Sequence, residues 1–236
     1  RKNLKKRGGS GTEQALKDGL DWLAKHQDED GKWDVDEFNK HDPADDKCDG
    51  EGEPMHDIGI TGLALLAFLG DGNTTTQGPY RTNVQKGVAW LKAQQDPDNG
   101  LFGEPIGHGY MYNHAIATLA ICEAYYFSKS PMIKRTAQDA INFVTRARNP
   151  YGAWRYEYPP NGEQDVSVTG WMVFALASAK DAELKIDTEA LTDALTYIDE
   201  MTDSSTGRVG YDEAGSYSSR IERGNDHYPP EKGEAM

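Results

Sequence analysis

One unit, repeated four times, constrains this chain more than any other feature. In each copy a small residue stands three positions before an aromatic one, and a Gly-x-aromatic or Gly-x-apolar turn follows. The copies are Gly19…Trp22 with Gly31-Lys-Trp33, Gly87…Trp90 with Gly100-Leu-Phe102, Ala140…Phe143 with Gly152-Ala-Trp154, and Ala194…Tyr197 with Gly207-Arg-Val209. Apolar residues ahead of the turn fall at helical spacing, as in Leu16, Leu20, Leu23 and Val84, Val88, Leu91, so they share one face of an amphipathic helix. Asp, Asn, Pro and Gly then end that helix.

A second, more apolar helix is expected after each turn, over 58–69, 112–127 and 166–179, with Glu234-Ala235-Met236 opening a fourth. Helices apolar on most faces are buried ones. Such hairpins bury their core only against neighbouring copies. The expected fold is therefore all-α, an α/α toroid: an arc of about four helical hairpins with polar outer and apolar inner helices. It should occupy residues 13–236, with further chain needed to close the ring. Residues 1–12 read as a basic, flexible tail, since Arg1, Lys2, Lys5, Lys6 and Arg7 precede Gly8-Gly9-Ser10-Gly11.

Composition narrows the partners. Against 25 Lys and Arg stand 39 Asp and Glu, a formal net charge of -14. Wrapping a nucleic-acid backbone needs clustered cations, so no nucleic-acid partner is expected. The longest apolar run, Ile58 to Leu69, is short of the ~20 residues of a spanning helix. Membrane association through the basic tail stays open, because such clusters bind anionic lipid; the location is cytoplasmic or membrane-associated. Cys48 and Cys122 are too few for a disulfide-built scaffold.

With Gln27 placed before Gly31 and Trp33, and Gln95 before Gly100 and Phe102, the chain resembles the terpene cyclase and prenyltransferase superfamily, whose repeats pair a Gln with a Gly-x-Trp turn. Arg148 and Thr202 depart from the Gln. The stretches 89–102, 112–125, 148–156, 168–173 and 207–211 look most like squalene-cyclase-like repeat proteins of planctomycete bacteria. The resemblance covers residues 13–236 and implies the toroid.

It also implies a test for chemistry. Squalene-cyclase-type enzymes carry Asp-x-Asp-Asp-Thr at the start of an inner helix, where a carboxyl held neutral protonates an alkene. The corresponding stretches here are Asp57-Ile-Gly-Ile-Thr61 and Asp165-Val-Ser-Val-Thr169, with Gly59 and Ser167 where the donor would be. Neither residue can protonate an alkene. Asp57 and Asp165 can instead cap their helices by accepting first-turn amides. The prenyltransferase branch holds zinc through Asp-x-Cys; Asp46-Lys-Cys48 has the letters but lies in a loop.

When the inner helices are aligned on Ala67, Ala120 and Ala175, His114 occupies the register of Thr61 and Thr169. Parallel inner helices bring their first turns together, so His114, Asp57 and Asp165 become the candidate catalytic set at the mouth of a central cavity. His114 would act as acid or base and the two Asp would orient it; a hydrogen-bonded structural histidine is the alternative. Tyr112, Asn113, Ser167 and Thr169, with the aromatics Trp154 and Tyr156, become candidate ligand-binding residues. Trp22, Trp33, Trp90 and Trp154 are expected to be wedged between helices. In the acidic loop from His41 to Asp57, His41, Asp46, Cys48 and His56 are candidate ligands for a divalent cation.

Three functions fit this reading. The first is a cyclase-like toroid holding an apolar, isoprenoid-type ligand in its central cavity. The second is a non-catalytic interaction or envelope scaffold, and the third a polysaccharide-active enzyme on the same architecture.

Overall fold

The computed structural model describes residues 10–150, 152–211 and 213–216. Residues 10–12, expected in the basic tail, instead begin the first helix; the expectations for residues 1–9 of that tail and for a helix opening at Glu234 lie outside the described residues. Within them the protein is all-α. Seven α-helices alternate between two layers: α1 (Ser10–Lys25), α2 (Asp57–Asp71), α3 (Arg81–Ala93), α4 (Tyr110–Ser128), α5 (Pro131–Arg146), α6 (Val166–Asp181) and α7 (Thr188–Glu200). Helices α2, α4 and α6 form the inner row, and α1, α3, α5 and α7 lie outside it. The closest helix pairings are α2 on α4 and α4 on α6. Contacts between Asn113 and Met55, and between Tyr112 and Ser167, join the N-terminal ends of the inner helices, which therefore run in one direction. Among the described residues no helix is long and apolar enough to cross a membrane.

The outer helices obey the amphipathic rule: Val84, Val88 and Leu91 of α3 and Ile133, Ala137, Ile141 and Val144 of α5 are buried. Helix α4, the middle of the inner row, buries residues all round, from Met111 to Ile121 and Ala124. An Ala-rich helix suits that place, because small side chains let neighbours approach on every side.

Each turn is built alike. The third residue past each outer helix donates its backbone N–H across the turn: Asp28 to Lys32 O (3.0 Å), Asp96 to Leu101 O (2.8 Å), Asn149 to Ala153 O (2.9 Å) and Asp203 to Arg208 O (2.8 Å). The glycine inside each loop needs positive φ, +108° at Gly31 and +78° at Gly100. It also lets the next outer helix close in. A Cβ on Gly31 would lie 2.4 Å from Lys86 O of α3, and one on Gly100 2.3 Å from Asp139 O of α5. Glycine is thus demanded twice, by conformation and by proximity.

Glutamine and tryptophan tie the copies together. Gln27 Nε2 donates to Gly31 O (2.9 Å) in its own turn and to Asn83 O (3.0 Å) on the next outer helix. Gln95 repeats this with Gly100 O and Thr136 O. At the third turn Arg148 does the job with charge, donating to Asp193 Oδ2 of α7 at 2.7 Å. Trp33 and Trp154 are buried and donate Nε1–H to Leu23 O and Val144 O, both at 2.8 Å.

The other two tryptophans are corrections. Trp90 is half-buried, and Trp22 is 41% exposed, stacked on the His26 ring at 3.8 Å. Its ring meets Phe38 of the following loop at 6.3 Å, not a neighbouring helix.

Candidate ligand site

The polar residues at the starts of the inner helices divide into two sets, one turned toward the Gly-x-aromatic turns and one joining the first turns of α4 and α6. The register alignment of Thr61, His114 and Thr169 explains the first. Thr61 Oγ1 accepts the Trp33 N–H (3.0 Å), Thr169 Oγ1 accepts the Trp154 N–H (3.1 Å), and His114 Nδ1 accepts the Phe102 N–H (3.1 Å). All three are completely buried. Nε2 of His114 bonds to Ala140 O at 3.3 Å, which makes Nε2 the protonated nitrogen. Burial holds its pKa down, to about 3. The imidazole packs between Phe102 and Phe143 instead of lining a cavity. The expectation of His114 as an acid or base at a cavity mouth is therefore corrected: its work is to satisfy a buried amide.

Asp57 is corrected likewise. His56 is the N-cap of α2. The Asp57 carboxylate accepts the Val35 N–H (2.9 Å) and pairs with Lys32 Nζ (2.8 Å), which fastens the first turn to α2. Asn113 is buried, donating to Met55 O (2.7 Å), and its Oδ1 faces His56 Nδ1 at 3.4 Å. A Cβ on Gly59 would lie 2.5 Å from Asn113 Oδ1. The place of a proton-donating carboxyl on α2 is thus closed by α4 itself. Trp154, Thr169 and Asn113 leave the ligand set.

The acidic-loop residues do not gather round a cation. His41 Nε2 bonds Asp28 (2.6 Å), Asp42 takes the Cys48 N–H (2.9 Å) and pairs with His26 (2.8 Å), and Asp46 and Cys48 are exposed. Among the described residues the carboxylates that do converge are Asp34, Asp36 and Asp57, with oxygens within 4.8 Å of one another. Lys32 Nζ stands between two of them, 2.8 Å from Asp34 and 2.8 Å from Asp57. Burial pushes the Asp34 carboxyl up, but hydrogen bonds from Lys32, the Glu37 N–H and Lys40 outweigh it and hold it below the usual range. A lysine supplies the positive charge here.

The second set links α6 to α4. Asp165 caps α6, its Oδ1 accepting the Val168 N–H (2.9 Å) and the Ser167 hydroxyl (2.8 Å). Ser167 Oγ in turn bonds the Tyr112 hydroxyl of α4. The Tyr112 ring lies 6.1 Å from that of Tyr156, whose hydroxyl bonds the Tyr211 hydroxyl. His108 stacks on Tyr156 at 5.0 Å. Burial raises the Tyr112 and Tyr211 phenols well above their ordinary value, so both stay protonated. Asp165 is wholly buried, and its Oδ2 has no hydrogen bond; Arg155 Nε lies 3.8 Å away, the guanidinium also meeting Glu163 at 3.2 Å. Asp165, Ser167, Tyr112 and Tyr156 were expected near this site. Arg155 and Tyr211 were not, although Tyr211 follows Val209 at the interval by which Tyr156 follows Trp154.

From this cluster an apolar wall runs along the inner helices. On α2, Ile60 and Leu63 are 38% and 40% exposed; on α6, Phe174 is 60% exposed beside Trp171; on α4, Tyr126 is 46% exposed. At the far end Glu123, Tyr126, Phe127, Ser178 and Asp181 line a hollow of about 290 Å³. Tyr112 and Tyr126 are fourteen residues apart on one helix, roughly 20 Å at 1.5 Å per residue.

No family model matches the chain. Across an alignment of 191 positions that covers 75% of the chain, it is 24% identical to the squalene–hopene cyclase of Bradyrhizobium diazoefficiens, and the matched stretch is 27% of that protein. The chain thus spans about a quarter of the curated relative it matches. At this level the similarity is a distant one to squalene-cyclase-like proteins, and it agrees with the helical hairpins.

Proposed function

We propose that this chain is a cyclase-like toroid segment whose inner face holds an elongated apolar ligand of isoprenoid type. The observation that carries the reading is the apolar wall. Helices α2, α4 and α6 already have a filled core on their outer side, yet Ile60, Leu63, Tyr126, Trp171 and Phe174 remain on the other. Scattered exposed apolar residues need no explanation, but rows on adjacent parallel helices mark an interaction surface. The distant similarity to a squalene–hopene cyclase supports an isoprenoid as the occupant.

The reading is one of binding. On α2 the proton donor's place is closed by Asn113, and on α6 it is taken by Ser167. The test is equilibrium binding of squalene and farnesol, with Phe174→Ala and Leu63→Ser as variants. These positions lie outside the packed core, so folding stability should change by less than about 0.5 kcal/mol while affinity falls. Absence of binding by either compound would leave the scaffold reading standing.

A further inference from the structure

We infer that the hollow between the C-terminal ends of α4 and α6 is a binding site for an alkylated ammonium ion. The inference goes beyond the apolar ligand proposed above and does not depend on it.

Negative charge and aromatic surface meet there. Glu123, Tyr126 and Phe127 stand on the last two turns of α4, Ser178 and Asp181 on the last turn of α6, and together they line about 290 Å³. Because the inner helices run in one direction, both bring to this end the carbonyls of a last turn, which lack partners within the helix and carry partial negative charge. Two carboxylates add full charges. Among the described residues neither Glu123 nor Asp181 is ion-paired. Lys129, the residue after α4, is engaged elsewhere: its Nζ donates to Ala182 O at 3.2 Å and lies 5.4 and 5.3 Å from the Tyr125 and Tyr126 ring centroids. That contact also shows that the Tyr126 ring attracts a positive charge.

The lining selects the class of ligand. An anion would meet two carboxylates and two helix C-termini, all of the wrong sign. A bare metal ion would find no ligand in the aromatic side of the hollow. A neutral apolar group would use the rings and gain nothing from the charges. An ammonium ion carrying methyl groups uses both, its methyls resting on Tyr126 and Phe127 while its charge faces Glu123 and Asp181. The space is at the small end for ligand sites, which run from roughly 300 to 1,000 Å³, and so suits a compact head group.

Choline is the probe, titrated into the full chain by calorimetry at low ionic strength, where screening is weakest. Its uncharged carbon analogue, with a tert-butyl group in place of the trimethylammonium, and magnesium chloride are the comparisons. Choline should bind about tenfold more tightly than the analogue. Tyr126→Leu, which keeps an apolar side chain without the ring, should weaken choline about three- to tenfold, the worth of one cation–π contact at a partly exposed site. Glu123→Gln and Asp181→Asn should each weaken it about two- to fivefold. Lys129→Gln, which removes a neighbouring positive charge and keeps a donor for Ala182 O, should strengthen it. Leu63→Ser on α2 should leave it unchanged, which separates this site from the apolar wall. Thermal melts identify a variant that has lost its fold, and the remaining variants then give the answer. The analogue binding as tightly as choline, magnesium displacing choline at equal concentration, no binding of choline, or an affinity unmoved by Tyr126→Leu and both carboxylate variants overturns the inference. None of these results bears on the binding of squalene or farnesol, so the two readings stand or fall separately.

Discussion

His114 accepts the backbone N–H of Phe102 through Nδ1 at 3.1 Å, a histidine performing in the second repeat what a threonine performs in the first and third. The imidazole is longer than a threonine side chain, and its far nitrogen reaches Ala140 O on α5. One residue therefore joins its own turn to the next outer helix.

That role has a pH signature. The folded pKa, about 3, lies below the ordinary 6.5, so the unfolded chain binds a proton that the folded one refuses. The contribution is fully present above pH 6.5 and is lost as pH falls from 6.5 toward 3. Over that window it adds at most about 1.4 kcal/mol per pH unit to the slope of stability. Urea unfolding across the range should show this slope in the parent and its loss in His114→Ala. Leaving the Phe102 amide unsatisfied in a cavity should also cost His114→Ala about 2 to 4 kcal/mol near neutral pH.

The tryptophans should separate by burial. Trp33→Ala removes a 3%-exposed ring and its bond to Leu23 O, for a cost of about 3 to 5 kcal/mol. Trp22→Ala removes a ring that mainly covers His26 and should cost about 1 kcal/mol. Equal shifts in melting temperature would reject the assignment of Trp33 as the wedge.

Two turn glycines separate strain from contact. Gly207 has φ +74° and nothing within 4 Å of its missing Cβ, whereas Gly100 has φ +78° and a carbonyl 2.3 Å away. Gly207→Ala should cost about 1 kcal/mol, backbone strain alone. Gly100→Ala should cost at least twice as much, because α5 must move. Denaturant midpoints of the two variants decide it.

Lys32 balances two carboxylates at once. Lys32→Met should cost on the order of 2 to 3 kcal/mol at pH 7, since Asp34 and Asp57 lose a shared cation. Asp34, held below its ordinary 3.8 in the folded state, contributes stability that is present above that value and is lost as pH falls below it. The deficit should therefore hold steady from pH 7 to about 4 and shrink as pH falls from about 4 toward 2. A deficit that stays constant below pH 4 would show that the pairing contributes nothing.

The period of the chain was legible by itself. Turn glycines, Gln27 and Gln95 and the shared register of Thr61, His114 and Thr169 are set by local geometry, so each copy of the repeat states the same requirement again. Even the substitution of Arg148 for Gln could be located, though not its partner Asp193, which lies on the following outer helix.

What a side chain faces was another matter. Asp57 and Asp165 hold equivalent places in similar stretches, yet one is drawn to Lys32 and Val35 in the preceding turn while the other caps its own helix and anchors Ser167 and Tyr112. That difference comes from which groups other repeats deliver to each helix end, and local pattern carries no trace of it. His114 shows the same limit: its register was readable, but its complete burial follows from Phe102, Phe143 and Ala140 closing around it. Periodicity decides where a residue stands along a helix; only packing between distant segments decides whether it meets water, a neighbour or a ligand, because burial and hydrogen bonding are settled by whichever surfaces the tertiary fold presses together.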